Sequence, residues 1–116
     1  MKNSFGSVKL FGHKYDEDVV VHVDGGVKKR KKTKSRDLKP LYGGHTPLSE
    51  KELDFLAEEK PKVVYVGIGY DSALPITNKA KIILDEYDAI VLPTPEVVDK
   101  IKHEKKKFVA IIHVTC

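Results

Sequence analysis

Residues 62–71, reading K-V-V-Y-V-G-I-G-Y-D, constrain the fold more than any other stretch of the chain. Val63, Val64, Tyr65 and Val66 all favour a strand and leave no polar face, which is the pattern of a strand covered on both sides. Such a strand belongs in the middle of a sheet with layers above and below it. Gly67 and Gly69 follow at once and, lacking a Cβ, let the backbone turn sharply or approach another group closely. In α/β proteins a strand that opens into a glycine loop before a helix is a usual place for a ligand, because helix N-terminal amides point into that loop. The G-x-G lacks the third glycine of a dinucleotide fingerprint, and no G-x-x-x-x-G-K-[ST] occurs, so a plain turn is the competing reading.

Two further apolar runs have the same character: Ala89-Ile90-Val91-Leu92, bounded by Pro93, and Phe108-Val109-Ala110-Ile111-Ile112-His113-Val114. Ala80, Ile83, Leu84 and Tyr87 recur at helical spacing over 77–87, so strand, helix and strand make a βαβ unit with a right-handed crossover. Thr94 as N-cap and Pro95 as first helical residue predict a helix over 94–105, with Val97, Val98 and Ile101 facing inward and Lys105-Lys106-Lys107 at its negative end. Ser49 followed by Glu52 reads as a capping box opening a helix over 50–59 that stops before Pro61. Nearer the start, a strand within 5–12 and a second over 19–23, separated by the polar Asp16-Glu17-Asp18, are expected to pair as a hairpin. After the turn Asp24-Gly25-Gly26, residues 27–34 read as a third, exposed strand whose lysines discourage edge pairing.

A chain of 116 residues, 41% hydrophobic and 33% charged, suits one soluble globular domain over 1–116. No apolar run approaches membrane-spanning length and the N-terminus lacks the apolar core of a signal peptide, so the expected location is cytoplasmic, with no membrane partner. Cys116 is the only cysteine, which excludes an intramolecular disulfide and a cysteine-rich metal site. Glutamine is absent, Asn3 and Asn78 are the only asparagines and lysine is abundant, a balance that points to a thermophilic source. The net charge of +4 is local: Lys28, Lys29, Arg30, Lys31, Lys32, Lys34 and Arg36 carry it with no acid among them, and the rest of the chain is net negative. That run is read as a solvated edge or as a basic patch that attracts RNA weakly at low salt, without aromatic residues to stack bases.

With the two parallel strands as neighbours, a crevice at their carboxyl ends would be lined by Gly67, Gly69, Tyr70, Asp71, Ser72 and Thr94, with the amides of the following helix as anion donors. Arg36 and His45 join it where the long loop before residue 50 folds over that end. His45 or Asp71 is then the acid or base, Arg36 the anion clamp, and Ser72 or Thr94 the hydroxyl. No nucleophile, base and orienting group are fixed by spacing, so no catalytic residue is assigned. His113 and Cys116 are three apart on a strand, point to opposite faces and are too few for a closed zinc site; His113 is expected to be bonded inside and Cys116 to be a packed thiol, with no metal and no cofactor.

Three stretches, G-H-T-P-L-S-E-K-E-L from Gly44, V-G-I-G-Y-D from Val66 and V-A-I-I-H-V-T-C from Val109, carry a resemblance that covers nearly the whole chain. The chain resembles the Mth nine-three-eight-like domain family, which includes small archaeal and bacterial proteins, an animal adipogenesis-associated protein and a mitochondrial assembly factor for respiratory complex I. The resemblance implies an α/β fold in three layers, a central mixed β-sheet with helices on one face and a β-hairpin layer plus helix on the other, the last strand antiparallel to its neighbours. It brings no established enzyme activity and no cofactor. The expectation is therefore a binding or assembly module, monomer or dimer, for an unknown protein partner or a small anionic ligand. The alternatives are a small-molecule enzyme using the loops at Gly67 and Thr94, and a nucleic-acid-binding accessory protein using the lysine run.

Overall fold

The apolar runs assemble as their patterns require. The computed structural model describes residues 6–42 and 46–114. A five-stranded sheet has the order β4 (Val27–Lys29), β3 (Val19–Val21), β7 (Phe108–Ile112), β5 (Val63–Gly67), β6 (Ile90–Leu92). β5 runs parallel to β6 and to β7, while β3 is antiparallel to both β7 and β4. The last strand is thus antiparallel to one neighbour only, a correction to the expectation from the family resemblance. β5 and β7 send alternate side chains into two cores, which is why neither run shows a polar face. On one side Tyr65, Ala110 and Ile112 pack with Val97, Val98 and Ile101 of α3 (Thr94–Ile101) and with Val8 and Leu10. On the other Val64, Val66, Val109 and Ile111 pack with Leu48, Leu53, Leu56 and with Ala80 and Leu84 of α2 (Asn78–Glu86). Three layers result, with helices on one face and a hairpin plus helix on the other. β6 is an edge strand with Val91 39% exposed, so its apolar run does not mark a buried strand as the sequence implied.

The hairpin layer is not the pair expected. β1 (Val8–Leu10) pairs with β2 (His13–Tyr15) in a separate two-stranded sheet, and β3 joins the main sheet instead. The cause is the two-residue loop Phe11-Gly12, with φ of 50° and 84°, both left-handed, which matches the twist of a tight hairpin. A phenylalanine there is unusual, since left-handed backbone crowds its Cβ at a cost of roughly 1–2 kcal/mol. Its ring is 57% exposed, so packing returns little. Phe11→Asn, which restores the favoured Asn-Gly pair, is expected to stabilise the fold by about 1 kcal/mol, a rise of roughly 4 °C in Tm by calorimetry. An unchanged or lower Tm would mean that the ring's packing outweighs the backbone strain.

Two helices also differ from their sequence patterns. Over 50–59 the chain forms a 3-10 turn at Glu50–Glu52 and only then a short α1 (Leu56–Glu59), ended by Lys60 with φ 50° before Pro61. No capping box forms, because Ser49 and Glu52 are engaged elsewhere. α3 ends at Ile101, short of residue 105, and its N-cap is Pro93, because the Thr94 hydroxyl bonds across the sheet end. By contrast α2 is capped as expected, Ala80 N donating to Thr77 Oγ1 at 3.2 Å. Among the described residues no helix is long and apolar enough to cross a membrane.

Candidate functional site

Strand register brings three distant residues to one end of the sheet. Val19 pairs with Ile112 and with Lys29, so Asp18, His113 and Arg30 each lie one residue beyond the ladder, at the end where Gly67 pairs with Ile112 and Leu92. That is the carboxyl end of the parallel strands, the end where α/β sheets place ligands. The side chains meet there. Arg30 Nη1 donates to Asp18 Oδ2 at 2.9 Å, and its Nε and Nη2 donate to the two oxygens of Glu52 at 2.7 and 2.9 Å, a bidentate fork. Nη2 also donates to the Pro47 carbonyl at 2.9 Å. Arg30 is therefore buried, 3% exposed, and does not belong to an exposed basic patch. A lysine-rich run hid it, yet its two carboxylates come from 12 and 22 residues away.

The polar cluster extends in both directions. Ser35 Oγ donates to Glu52 Oε2 at 2.6 Å; its one proton being spent, it accepts from Ser49 Oγ at 2.5 Å. This occupies both members of the expected capping box. Asp18 Oδ2 accepts from His113 Nδ1 at 2.7 Å, and Asp18 Oδ1 from the Val114 amide at 3.0 Å. Because an ionised carboxylate can only accept, Nδ1 is the protonated ring nitrogen. Burial pushes the Asp18 carboxyl up, but the hydrogen bond and attraction of His113, the Val114 amide and Lys32 together hold it well below the usual carboxylate range. Burial likewise opposes the Arg30 charge, and the bonds to Glu52 and Asp18 overcome it, raising its pKa. Among the described residues no buried side-chain nitrogen or oxygen lacks a partner, so the cluster is fully satisfied.

Against this floor lies a cleft of about 630 Å³, within the range of small-molecule sites, lined by Asp16, Glu17, Asp18, Lys29, Arg30, Lys31, Lys32, Arg36 and Val114. Lys29 pairs with Glu17 at 3.2 Å and Lys32 lies 3.5 Å from Asp18, which leaves Lys31 and Arg36 without an acid partner among the described residues. Lys34, outside the cleft lining, is 3.5 Å from Asp54. The basic run is thus partly neutralised in space by acids far away in sequence. Lys28 pairs with Val20 and Lys29 with Val19, so the alternation of β4 sends the two lysines to opposite faces of the sheet.

The loops named from the sequence are also brought together. Thr94, 0% exposed, donates through Oγ1 to the His113 carbonyl at 2.6 Å and accepts from the Gly69 amide at 2.9 Å. A Cβ on Gly67 would stand 3.0 Å from Thr94 Oγ1 and 3.2 Å from its Cα, so close approach accounts for this glycine. Gly69, at φ 100°, supplies the positive backbone angle of the turn. The hydroxyl of Tyr70 donates to the Ser7 carbonyl at 2.6 Å, and Asp71 and Ser72 are exposed. Arg36, also exposed, lines the cleft above the Asp18 cluster, whose lining includes none of these loop residues. His45 and Cys116 lie outside the described residues. Asp18, Ser35, Glu52 and Ser49 were missed as site residues; the one sequence clue was an acid directly preceding a wholly apolar strand.

No protein-family model matches the chain. Nor does any curated protein. Solved structures do match the chain over its full length. A protein described as MT938 superposes with a TM-score of 0.79 at 38% identity, the match covering 96% of that chain. A conserved hypothetical protein, PH1505 from Pyrococcus horikoshii OT3, superposes with a TM-score of 0.82 at 31% identity over 98% of its length. With identity at that level over its full length, the chain belongs to the Mth nine-three-eight-like family of which MT938 is a member.

Proposed function

We propose that the protein is a binding module for a small anionic ligand held in the cleft above the Asp18–Arg30 cluster. The observation that carries this reading is that Arg36 and Lys31 stand at a ligand-sized cleft with no acid partner among the described residues, while the buried Asp18 and Glu52 beneath them are already engaged by Arg30, and Asp18 by Lys32 as well. An anion entering there meets cations that have no carboxylate to give up. The floor favours binding over proton transfer: Asp18 is held ionised far below neutral pH and its oxygens already accept bonds from Arg30, His113 and Val114, which makes it a poor general base. Division of the lysines between two faces and their pairing with Glu17, Asp18 and Asp54 favour a compact anion over a nucleic-acid strand, which needs a continuous track.

Inorganic pyrophosphate is a suitable probe. Titration followed by amide chemical shifts is expected to saturate, with the changes centred on Lys31, Lys32, Arg36 and Val114. Arg36→Ala, at an exposed position, should weaken binding about tenfold without changing urea stability. Equal affinity of the variant, or shifts that grow without saturating, would remove the reading.

A further inference from the structure

A second recess has a different chemistry. It is lined by Val20, His22, Leu48, Phe55 and Ile111 on one side and by Lys28, Lys29, Lys31 and Lys34 on the other, with Glu52 and Asp54, and its volume is about 120 Å³. Val20, Leu48 and Ile111 belong to the core face that carries α1 and α2, away from the Asp18 cleft lining of Asp16, Glu17 and Val114. The space compares with the roughly 150 Å³ of an apolar cavity known to admit benzene, so it holds one ring or a short branched chain.

Charges at the rim decide what else the occupant carries. Lys34 is held by Asp54 and Lys29 by Glu17, and Glu52 is spent on Arg30 and Ser35. Lys28 and Lys31 have no acid partner among the described residues. Register sets Lys28 directly opposite Val20 on β3, so an ammonium stands at the mouth of an apolar floor. Phe55 is itself fixed, its ring edge-on to His22 at 5.3 Å between centroids, while His22 Nδ1 is bonded to Glu59 at 2.6 Å. The recess is therefore preformed, with no side chain needing to leave it.

We infer that this recess binds a small amphipathic carboxylate of the arylacetate or short branched-chain type, its apolar group against Val20, Leu48, Phe55 and Ile111 and its carboxylate between Lys28 and Lys31. The combination excludes bulky polyanions by size and neutral aromatics by weaker attraction. It is a separate site from the anion cleft, although Lys29 and Lys31 line both.

Phenylacetate is the probe, with acetate and benzyl alcohol as controls, and methyl chemical shifts of Val20, Leu48 and Ile111 as the readout. Phenylacetate is expected to saturate these shifts and to bind tighter than either control. Lys28→Ala, which lines this recess and not the anion cleft, should weaken phenylacetate about fivefold and leave benzyl alcohol and pyrophosphate binding unchanged. Val20→Phe should fill the space and abolish the methyl shifts. Acetate binding as tightly as phenylacetate would overturn the inference, as would indifference to Lys28→Ala. Phenylacetate that moves the Arg36 amide while leaving the methyls of Leu48 and Ile111 unshifted would also overturn it, by assigning the carboxylate to the cleft, and would leave the cleft reading standing.

Discussion

Arg30→Met is expected to lower the unfolding free energy at neutral pH by ~3–5 kcal/mol, roughly 12–20 °C in Tm for a chain of this size. The guanidinium is the only cation reaching both Asp18 and Glu52 among the described residues, and the two carboxylates are 1% and 4% exposed. Removing it leaves two buried charges short of a partner and withdraws the donors from Glu52, Asp18 and the Pro47 carbonyl. The effect carries a pH signature with a defined sign. In the native protein the Asp18 carboxyl titrates below its unfolded value of 3.8, so its stabilisation is fully present above about pH 4 and is lost as pH falls through the folded value. Without Arg30 the Asp18 carboxyl loses one cation that favours its charged form but keeps His113, the Val114 amide and Lys32, so its folded value moves up towards the unfolded 3.8 and protonation relieves the variant more than the native protein loses as pH falls. The gap between variant and native protein should therefore be full near pH 7.5 and begin to narrow only below about pH 4 in urea denaturation. Arg30→Lys should recover only part of the loss, since an ammonium cannot span both Glu52 oxygens and Asp18 at once. A deficit that stays constant with pH would mean that lost packing, not stranded charge, is the cause.

The same residues show where a sequence is legible and where it is not. β5 and β7 were readable because burial on two faces writes itself as an uninterrupted apolar run, and α2 because its core contacts repeat at helical spacing. The edge role of β4 followed from its lysines. Pairings that span the chain leave no local period. Asp18 looked like part of a polar turn, Glu52 like a helix cap and Arg30 like one more charge in a basic run, yet they meet at one end of the sheet. The register that unites them depends on β3 pairing with β7, more than ninety residues away in sequence by the Asp18–His113 bond. The first hairpin failed for a local reason instead: its turn uses phenylalanine where Asn-Gly would have announced it. Of the residues named for a pocket, Arg36 lines the cleft at the carboxyl end of the parallel strands, apart from the loop residues named with it. The cleft's place on the β3 and β4 side was not legible, because nothing local distinguishes a loop end that is filled by a threonine from one left open.

Thr94→Val tests how firmly that loop end is closed. Valine keeps the shape of threonine but removes a hydroxyl that serves both as donor to the His113 carbonyl and as acceptor for the Gly69 amide, in a position with no solvent access. Losing both bonds at a buried site is expected to cost ~2–4 kcal/mol. Thr94→Ser retains the hydroxyl and gives up one buried methyl, which should cost about 1 kcal/mol. The polar variant is thus expected to be the more stable, the reverse of the order that hydrophobicity alone would give at a buried position. The damage should also be local before it is global. The Gly69 amide loses its acceptor in Thr94→Val, so its hydrogen exchange should accelerate far more than that of Val64 or Val66 in the core of β5. His113 is the shared link: its carbonyl receives the Thr94 hydroxyl while its ring donates to Asp18, so a loosened Thr94 should carry through to the floor of the anion cleft and weaken pyrophosphate there. If serine costs more than valine, the methyl packing dominates and the hydroxyl bridge is not what holds the two loops to the end of β7.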